Sequence, residues 1–171
     1  MNRLLASAAL LALAAASSAC ANPAADAPKA ETSETTARPA PRANDAAGER
    51  LHITNGNSRI EFVGSKVTGS EGGRFEKFTG TVHLVEARPE QSRVEIAIDM
   101  NSVATDSNGL AEHLKNADFF DAPKFPTATF VSTDIKPGGE KGATHTVTGN
   151  LDLHGVTKAV AFPATIKVDA A

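Results

Sequence analysis

The sequence predicts a mainly β domain, an antiparallel meander that closes into a barrel or a sandwich and carries one short helix. Three observations carry this reading. From Arg59 onward apolar residues recur at every second position, the period of a half-buried strand. Turn signals built on Gly and Pro separate these runs at short spacing, with no alternating βαβ pattern of the kind a parallel sheet requires. All eight Phe lie between Phe62 and Phe162, and they are the only aromatic residues. Core-forming material is therefore confined to the C-terminal two-thirds of the chain.

The elements follow in order. Ile60, Phe62 and Gly64 alternate with Arg59, Glu61 and Val63, and Glu71-Gly72-Gly73 supplies a turn signal. Phe75 to Glu86 is the next strand, with Phe78, Gly80, Val82 and Leu84 on one face. Arg88-Pro89-Glu90 breaks the chain. Val94, Ile96, Ile98 and Met100 then alternate with Arg93, Glu95, Ala97 and Asp99. Asp106, Ser107 and Asn108 are all good N-caps, and Leu110, Ala111, Leu114 and Ala117 fall at helical spacing, so a helix ends by Asp118 ahead of Pro123 and Pro126. Strands resume at Ala128 to Ile135 and, after Pro137-Gly138-Gly139, at Thr144 to Leu153. His154-Gly155 is a turn. The last strand places Val160, Phe162, Ala164, Ile166 and Val168 on one face, with Pro163 marking an edge or bulge. The total is about six strands, short of the ~8 that close a barrel of this type. The expectation is an open or incomplete barrel, or a chain that is a piece of a longer one.

The first fifty of the 171 residues contribute nothing to that core. Arg3 precedes an apolar run from Leu4 to Ala16, followed by Ser17, Ser18, Ala19 and Cys20. A charged start, a short apolar run and small residues are the parts of a secretory signal peptide. The run is shorter than the ~20 residues of a membrane span. Ser17-Ser18-Ala19-Cys20 resembles the lipobox of bacterial lipoproteins, in which the Cys carries the lipid, although Ser17 stands where an apolar residue is usual. Cys20 is the only cysteine, so no intramolecular disulfide forms, and lipidation gives this thiol a use. The alternative is plain cleavage near Ala19 or Ala21. Ala21 to about Arg50 contains no Phe, Leu, Ile or Val and reads as a disordered tether. The organisation is thus residues 1–20 as a signal peptide, 21–50 as a tether and 51–171 as the folded domain. The destination is the periplasm or cell envelope, with membrane attachment through Cys20.

Catalytic chemistry finds little support. The net charge of −3 comes with no Lys/Arg block, which argues against a nucleic-acid partner. His52, His83, His113, His145 and His154 form no metal-ligand spacing and read as surface or turn residues. Nucleophile elbow, phosphate loop and dinucleotide fingerprint are all missing. Asp99 and Asp106 read as solvated structural carboxylates. The expectation is no catalytic residue, no metal site and no prosthetic group. The inward faces are Ile, Val, Leu and Phe, with gaps at Gly64, Gly80 and Gly149. Periodicity alone leaves a ligand cavity and a filled core equally open.

Several ordered motifs carry a family resemblance. Asp118-Phe119-Phe120-Asp121, Phe125-Pro126-Thr127-Ala128-Thr129-Phe130, Val147-Thr148-Gly149-Asn150-Leu151 and His154-Gly155-Val156-Thr157-Lys158 resemble the run that marks the YceI-like family. Ile60-Glu61-Phe62 and Phe75-Glu76-Lys77-Phe78-Thr79-Gly80 are similar to that family's opening strands. The resemblance spans Arg59 to Val168. It implies a lipocalin-like antiparallel β-barrel with one short helical insertion, in an exported bacterial family not known for catalysis. Some members hold a polyisoprenoid in an apolar tunnel. It also implies further strands beyond the present C-terminus. The ligand it implies here is a long apolar lipid, an isoprenoid or quinone-type molecule. The candidate ligand-binding residues are Ile60, Phe62, Phe78, Val82, Leu84, Ile96, Ile98, Phe130, Leu151, Leu153, Val160 and Phe162. Phe119-Phe120, Pro126 and His154-Gly155 read as structural: a helix anchor, a rigid lead-in to a strand and a tight turn. Two other readings stand beside the carrier. One is a structural or stress-linked envelope protein with a filled core. The other is a hydrolase whose site is assembled from scattered His and Asp.

Overall fold

The computed structural model describes residues 30–35, 48–66 and 69–168. The segment read as a signal peptide, Cys20 included, lies outside the described residues. Within them the chain forms β1 (Glu31–Ser33), β2 (Glu49–Thr54), β3 (Ile60–Lys66), β4 (Gly69–Phe75), β5 (Phe78–Val85), β6 (Arg88–Asp99) and β7 (Val103–Thr105). After α1 (Asn108–Leu114) come β8 (Thr127–Pro137), β9 (His145–Leu153) and β10 (Val156–Ala164). A seven-stranded sheet has the order β1-β10-β9-β8-β6-β5-β2, and a three-stranded sheet has the order β3-β4-β7. Every pairing is antiparallel. The two sheets are not joined into a closed cylinder among the described residues, so the architecture is the expected lipocalin-like antiparallel β fold, left open.

Alternation sets the register. Ile96 faces Gly80 on one side and Phe130 on the other, and Phe130 then faces Leu151. Phe162 faces Val147, and Val160 faces Gly149. One-residue slippage would turn this whole apolar set to the other face, so the pattern fixes the pairing. Two hydroxyls repair the places where the ladders shift. Ser132 Oγ accepts from the Val94 N–H at 2.9 Å, beside the irregularity between Ser132 and Asp134. Ser92 Oγ accepts from the Val85 N–H at 3.1 Å and donates to the Arg88 carbonyl at 2.7 Å, spanning the shift between His83 and Val85.

The helix is anchored as its sequence requires. Ser107 caps it through the Leu110 N–H, and Ala111 and Leu114 are buried. The chain then turns back, with Phe120 N–H donating to Leu114 O and Ala122 N–H to Lys115 O. Phe120 and the fully buried Ala122 thereby meet Met100, Ala128, Phe75, Ile98 and Leu153. A second cluster joins Phe130, Ile135, Val147 and Val160 to Val94, Leu151, Phe162 and Ile166.

Several elements depart from the expectation. Glu71-Gly72-Gly73 is not a turn but lies inside β4. The ring of Phe62 rests on Gly73, directly across the ladder, in the space a Cβ would fill. Arg88-Pro89-Glu90 does not break the chain but starts β6. Its turn lies earlier, at Glu86 and Ala87, both at positive φ, the geometry of a two-residue hairpin. The register with β8 begins only at Glu95, so the missing N–H of Pro89 falls outside that ladder. The last strand stops at Ala164, although Ile166 still packs on the core. Pro163 lies past the three residues that β1 pairs, on the edge it was expected to mark. Two pieces of the segment read as a disordered tether are strands: Glu31–Ser33, and the start of β2 at Glu49. Backbone pairing to an open edge needs no apolar side chains, which is why composition missed it.

Candidate functional site

The site is built from the sheets' apolar faces. Of the candidate residues, Phe78, Val82 and Leu84 sit on β5, Ile96 and Ile98 on β6, Phe130 on β8, Leu151 and Leu153 on β9, and Val160 and Phe162 on β10. The register rows bring them to one continuous face. Leu51 and Ile53 of β2 extend it, facing Val82 and Gly80. Phe78, Phe130 and Val160 are buried, whereas Val82, Leu84, Ile96, Ile98, Leu151, Leu153 and Phe162 are only half-buried. The face is thus lined by large apolar side chains that protein atoms cover incompletely. Burial is worth ~25 cal/mol per Å² of apolar surface, so this uncovered area is a reserve of binding energy.

Ile60 and Phe62 stand on the small sheet. Phe62 lies 5.6 Å from Phe75, and Phe75 lies 5.9 Å from Phe120. This run of rings connects the small sheet to the cluster around Met100. A recess of about 540 Å³ opens beside it, with Ile60, Phe75 and Phe78 as its apolar part and Asn55, Ser58, Arg59, Glu61, Arg74 and Glu76 as its polar rim. Its volume falls within the range of small-molecule sites. Arg74 is held by Glu76 at 2.8 Å and faces Glu61 across the ladder. A second recess of about 190 Å³ includes Phe162, Pro163, Ala161 and Glu31. It lies toward the opposite end of the strands.

Phe75, Phe120 and Met100 belong to this apolar system although none was among the candidate ligand-binding residues; Met100 was expected on the apolar face of its strand and Phe120 as a helix anchor. Met100 shared the apolar face of its strand with Ile98, and its burial, with 2 % exposed, comes from Ala122 and Ala128, distant in sequence. The Phe119-Phe120 pair divides its work. Phe120 anchors the core, whereas Phe119 stays 46 % exposed with its ring edge-on to His113 at 5.0 Å.

Two histidines are less exposed than expected: His83 is half-buried within β5 and His145 is buried at the start of β9. The His145 Nδ1 lies 2.8 Å from Thr144 Oγ1 and its Nε2 lies 3.3 Å from Glu90 Oε1. The pair fastens the start of β6, which has no ladder with β8, to the start of β9. The Glu90 carboxyl is held below its ordinary value, chiefly by a hydrogen bond from its own backbone N–H, then by the hydrogen bond and charge of His145 and by the charge of Arg88, against an opposing desolvation. A carboxyl depressed in the folded state adds stability that is present above its unfolded value and is lost as pH falls through the folded one. Glu90→Gln is therefore expected to flatten the acid limb of stability. Urea midpoints measured between about pH 3 and pH 6 should fall less steeply for the variant than for the parent, and identical slopes would sink this account. His154 stands at a tight turn as expected, at positive φ beside Gly155. Its ring is edge-on to Phe125 at 5.1 Å, and the same Phe125 ring occupies the space of a Gly155 Cβ.

Two antiparallel sheets with alternating apolar faces and one short helical insertion define a lipocalin-like β protein. The chain belongs to the YceI-like domain family, whose model matches residues 51–171. It is similar to a UPF0312 protein of Pseudomonas putida, 43% identical over 93 residues that make up 54% of this chain and 47% of the relative. A UPF0312 protein of Pseudomonas aeruginosa is 42% identical over 95 residues, 56% of this chain and 46% of the relative. The chain thus spans about half the length of the curated relatives it matches. Among solved structures, BcnA of Burkholderia cenocepacia aligns with a TM-score of 0.62 at 28% identity, over 70% of this chain and 74% of BcnA.

Proposed function

We propose that this protein is an exported carrier of a long apolar lipid, a polyisoprenoid or quinone-type chain, in the bacterial periplasm or cell envelope. The supporting observation is the continuous apolar face from Leu51 to Phe162, on which Val82, Leu84, Ile96, Ile98, Leu151, Leu153 and Phe162 remain half-buried and Leu51 is exposed. A filled core would cover them. The candidate residues on both sheets would grip the chain by burial alone, and the recess at Ile60, Phe75 and Phe78 would admit it between the sheets. The family resemblance supports the same class of ligand. In this reading the lipid is cargo rather than a cofactor, and no bond is made or broken. The amino-terminal address sequence supports export, and Cys20 would tie the domain to a membrane.

Organic extraction of protein purified from its native envelope, followed by mass spectrometry, tests the reading. A co-purifying isoprenoid or quinone at near-stoichiometric amount is the expected result. Protein that is reproducibly empty, and that also fails to bind an added apolar chain, would leave the filled structural domain as the better account.

A further inference from the structure

We propose that β1 is a displaceable strap that governs lateral access to the apolar face along the edge of β10. Burial changes sharply along that strand. Val156, Thr157 and Lys158 are exposed, and burial begins abruptly at Ala159, 1% exposed, and Val160, 7% exposed. The change coincides with β1. Ser33 lies opposite Ala159, Thr32 opposite Val160, and Glu31 opposite Ala161. Val160 belongs to the main core cluster together with Phe162, yet it sits one strand from the end of the sheet. It is β1 that keeps this part of the core from being a sheet edge.

The attachment is weak. β1 makes three rungs while β10 makes nine with β9, and all of its residues are exposed. Just past the strand, Glu34 pairs with Lys158 Nζ at 3.2 Å, with the Glu34 side chain 94% exposed, and such a pair in solvent adds little. A strand held this way opens without the rest of the sheet. Its removal would leave β10 as the sheet edge at Val160, giving an elongated molecule a side entrance that the remaining strands need not move to form. The gating role rests on the carrier reading, whereas the independent opening of β1 does not.

The test uses the full chain carrying Cys20→Ser, so that an engineered pair, Ser33→Cys with Ala159→Cys, is the only source of a disulfide. Uptake and release of cis-parinaric acid are followed by fluorescence before and after reduction. The expected result is exchange slowed about tenfold or more while the strap is locked, as for other closing segments, and restored by reductant. Equal rates in the two states would overturn the proposal. Hydrogen exchange on the unlocked protein gives a second, ligand-free reading. Amides in 31–33, and those of 159–161 that point toward β1 rather than β9, should exchange faster than those at the centre of the β8–β9 ladder. Exchange of both sets only through global unfolding would overturn the strap, with or without a lock. Failure of cis-parinaric acid to bind at all would instead count against the carrier, leaving hydrogen exchange to decide on the strap.

Discussion

Phe130→Ala is expected to destabilise the domain by about 3–5 kcal/mol, the range for deleting a buried aromatic ring. Phe130 is 8% exposed and joins neighbours on three strands. Its ring lies 5.7 Å from that of Phe162, it faces Ile96 and Leu151 along the register, and it covers Gly149, filling the space of a Cβ there. The last contact makes the prediction sharper than a simple truncation. Gly149→Ala places a methyl in that ring and at 2.6 Å from the Val131 carbonyl oxygen, an overpacking expected to cost about 1–3 kcal/mol. In the double variant the ring is gone, although the carbonyl remains. The two losses should therefore be less than additive by about 0.5 kcal/mol or more, as for residues in contact. Urea unfolding of the four proteins measures this coupling. Additive losses would mean that Gly149 is required for the backbone alone and that the ring is not seated on it.

The same pair shows what the sequence makes legible. Alternation placed Phe130, Leu151 and Phe162 on apolar faces, and the register joins them as one surface. A period of two is a property of each strand by itself, so it survives without knowledge of the partner. What the sequence hides is what depends on the partner. Gly72 and Gly73 read as a turn because glycine in a strand has no side chain to recommend it, and only the facing Phe62 explains Gly73. Pro89 read as a break because the sequence does not reveal that its ladder has no β8 partner. β1 has no apolar residue at all and exists because β10 offers an open edge. For the candidate site, the residues of the large sheet were legible. The contribution of Phe75, Phe120 and Met100 was not, since it arises where α1, the loop after it and the small sheet converge.

Affinity for apolar chains is expected to rise with chain length, about fourfold per methylene, from the ~0.8 kcal/mol that each buried methylene contributes. The reason lies in how the face is made. Val82, Leu84, Ile96, Ile98, Leu151 and Leu153 are half-buried and present no hydrogen-bonding group, so only covered area distinguishes one ligand from another. A homologous series of straight-chain alcohols displacing cis-parinaric acid measures the slope. The slope should hold until the chain outgrows the space between the sheets and then level off. Ile96→Glu sits mid-face, between Gly80 and Phe130, and puts a carboxylate where the chain must lie. It should weaken binding by about 100-fold or more, given the cost of an unpaired charge in apolar surroundings. Thr79→Glu is the control. Thr79 is exposed and alternates with Phe78 and Gly80, so the same charge there meets water and should leave the affinity within about twofold, as for surface substitutions generally. A flat dependence on chain length, or equal losses in the two glutamate variants, would show that the chain binds elsewhere than on this face.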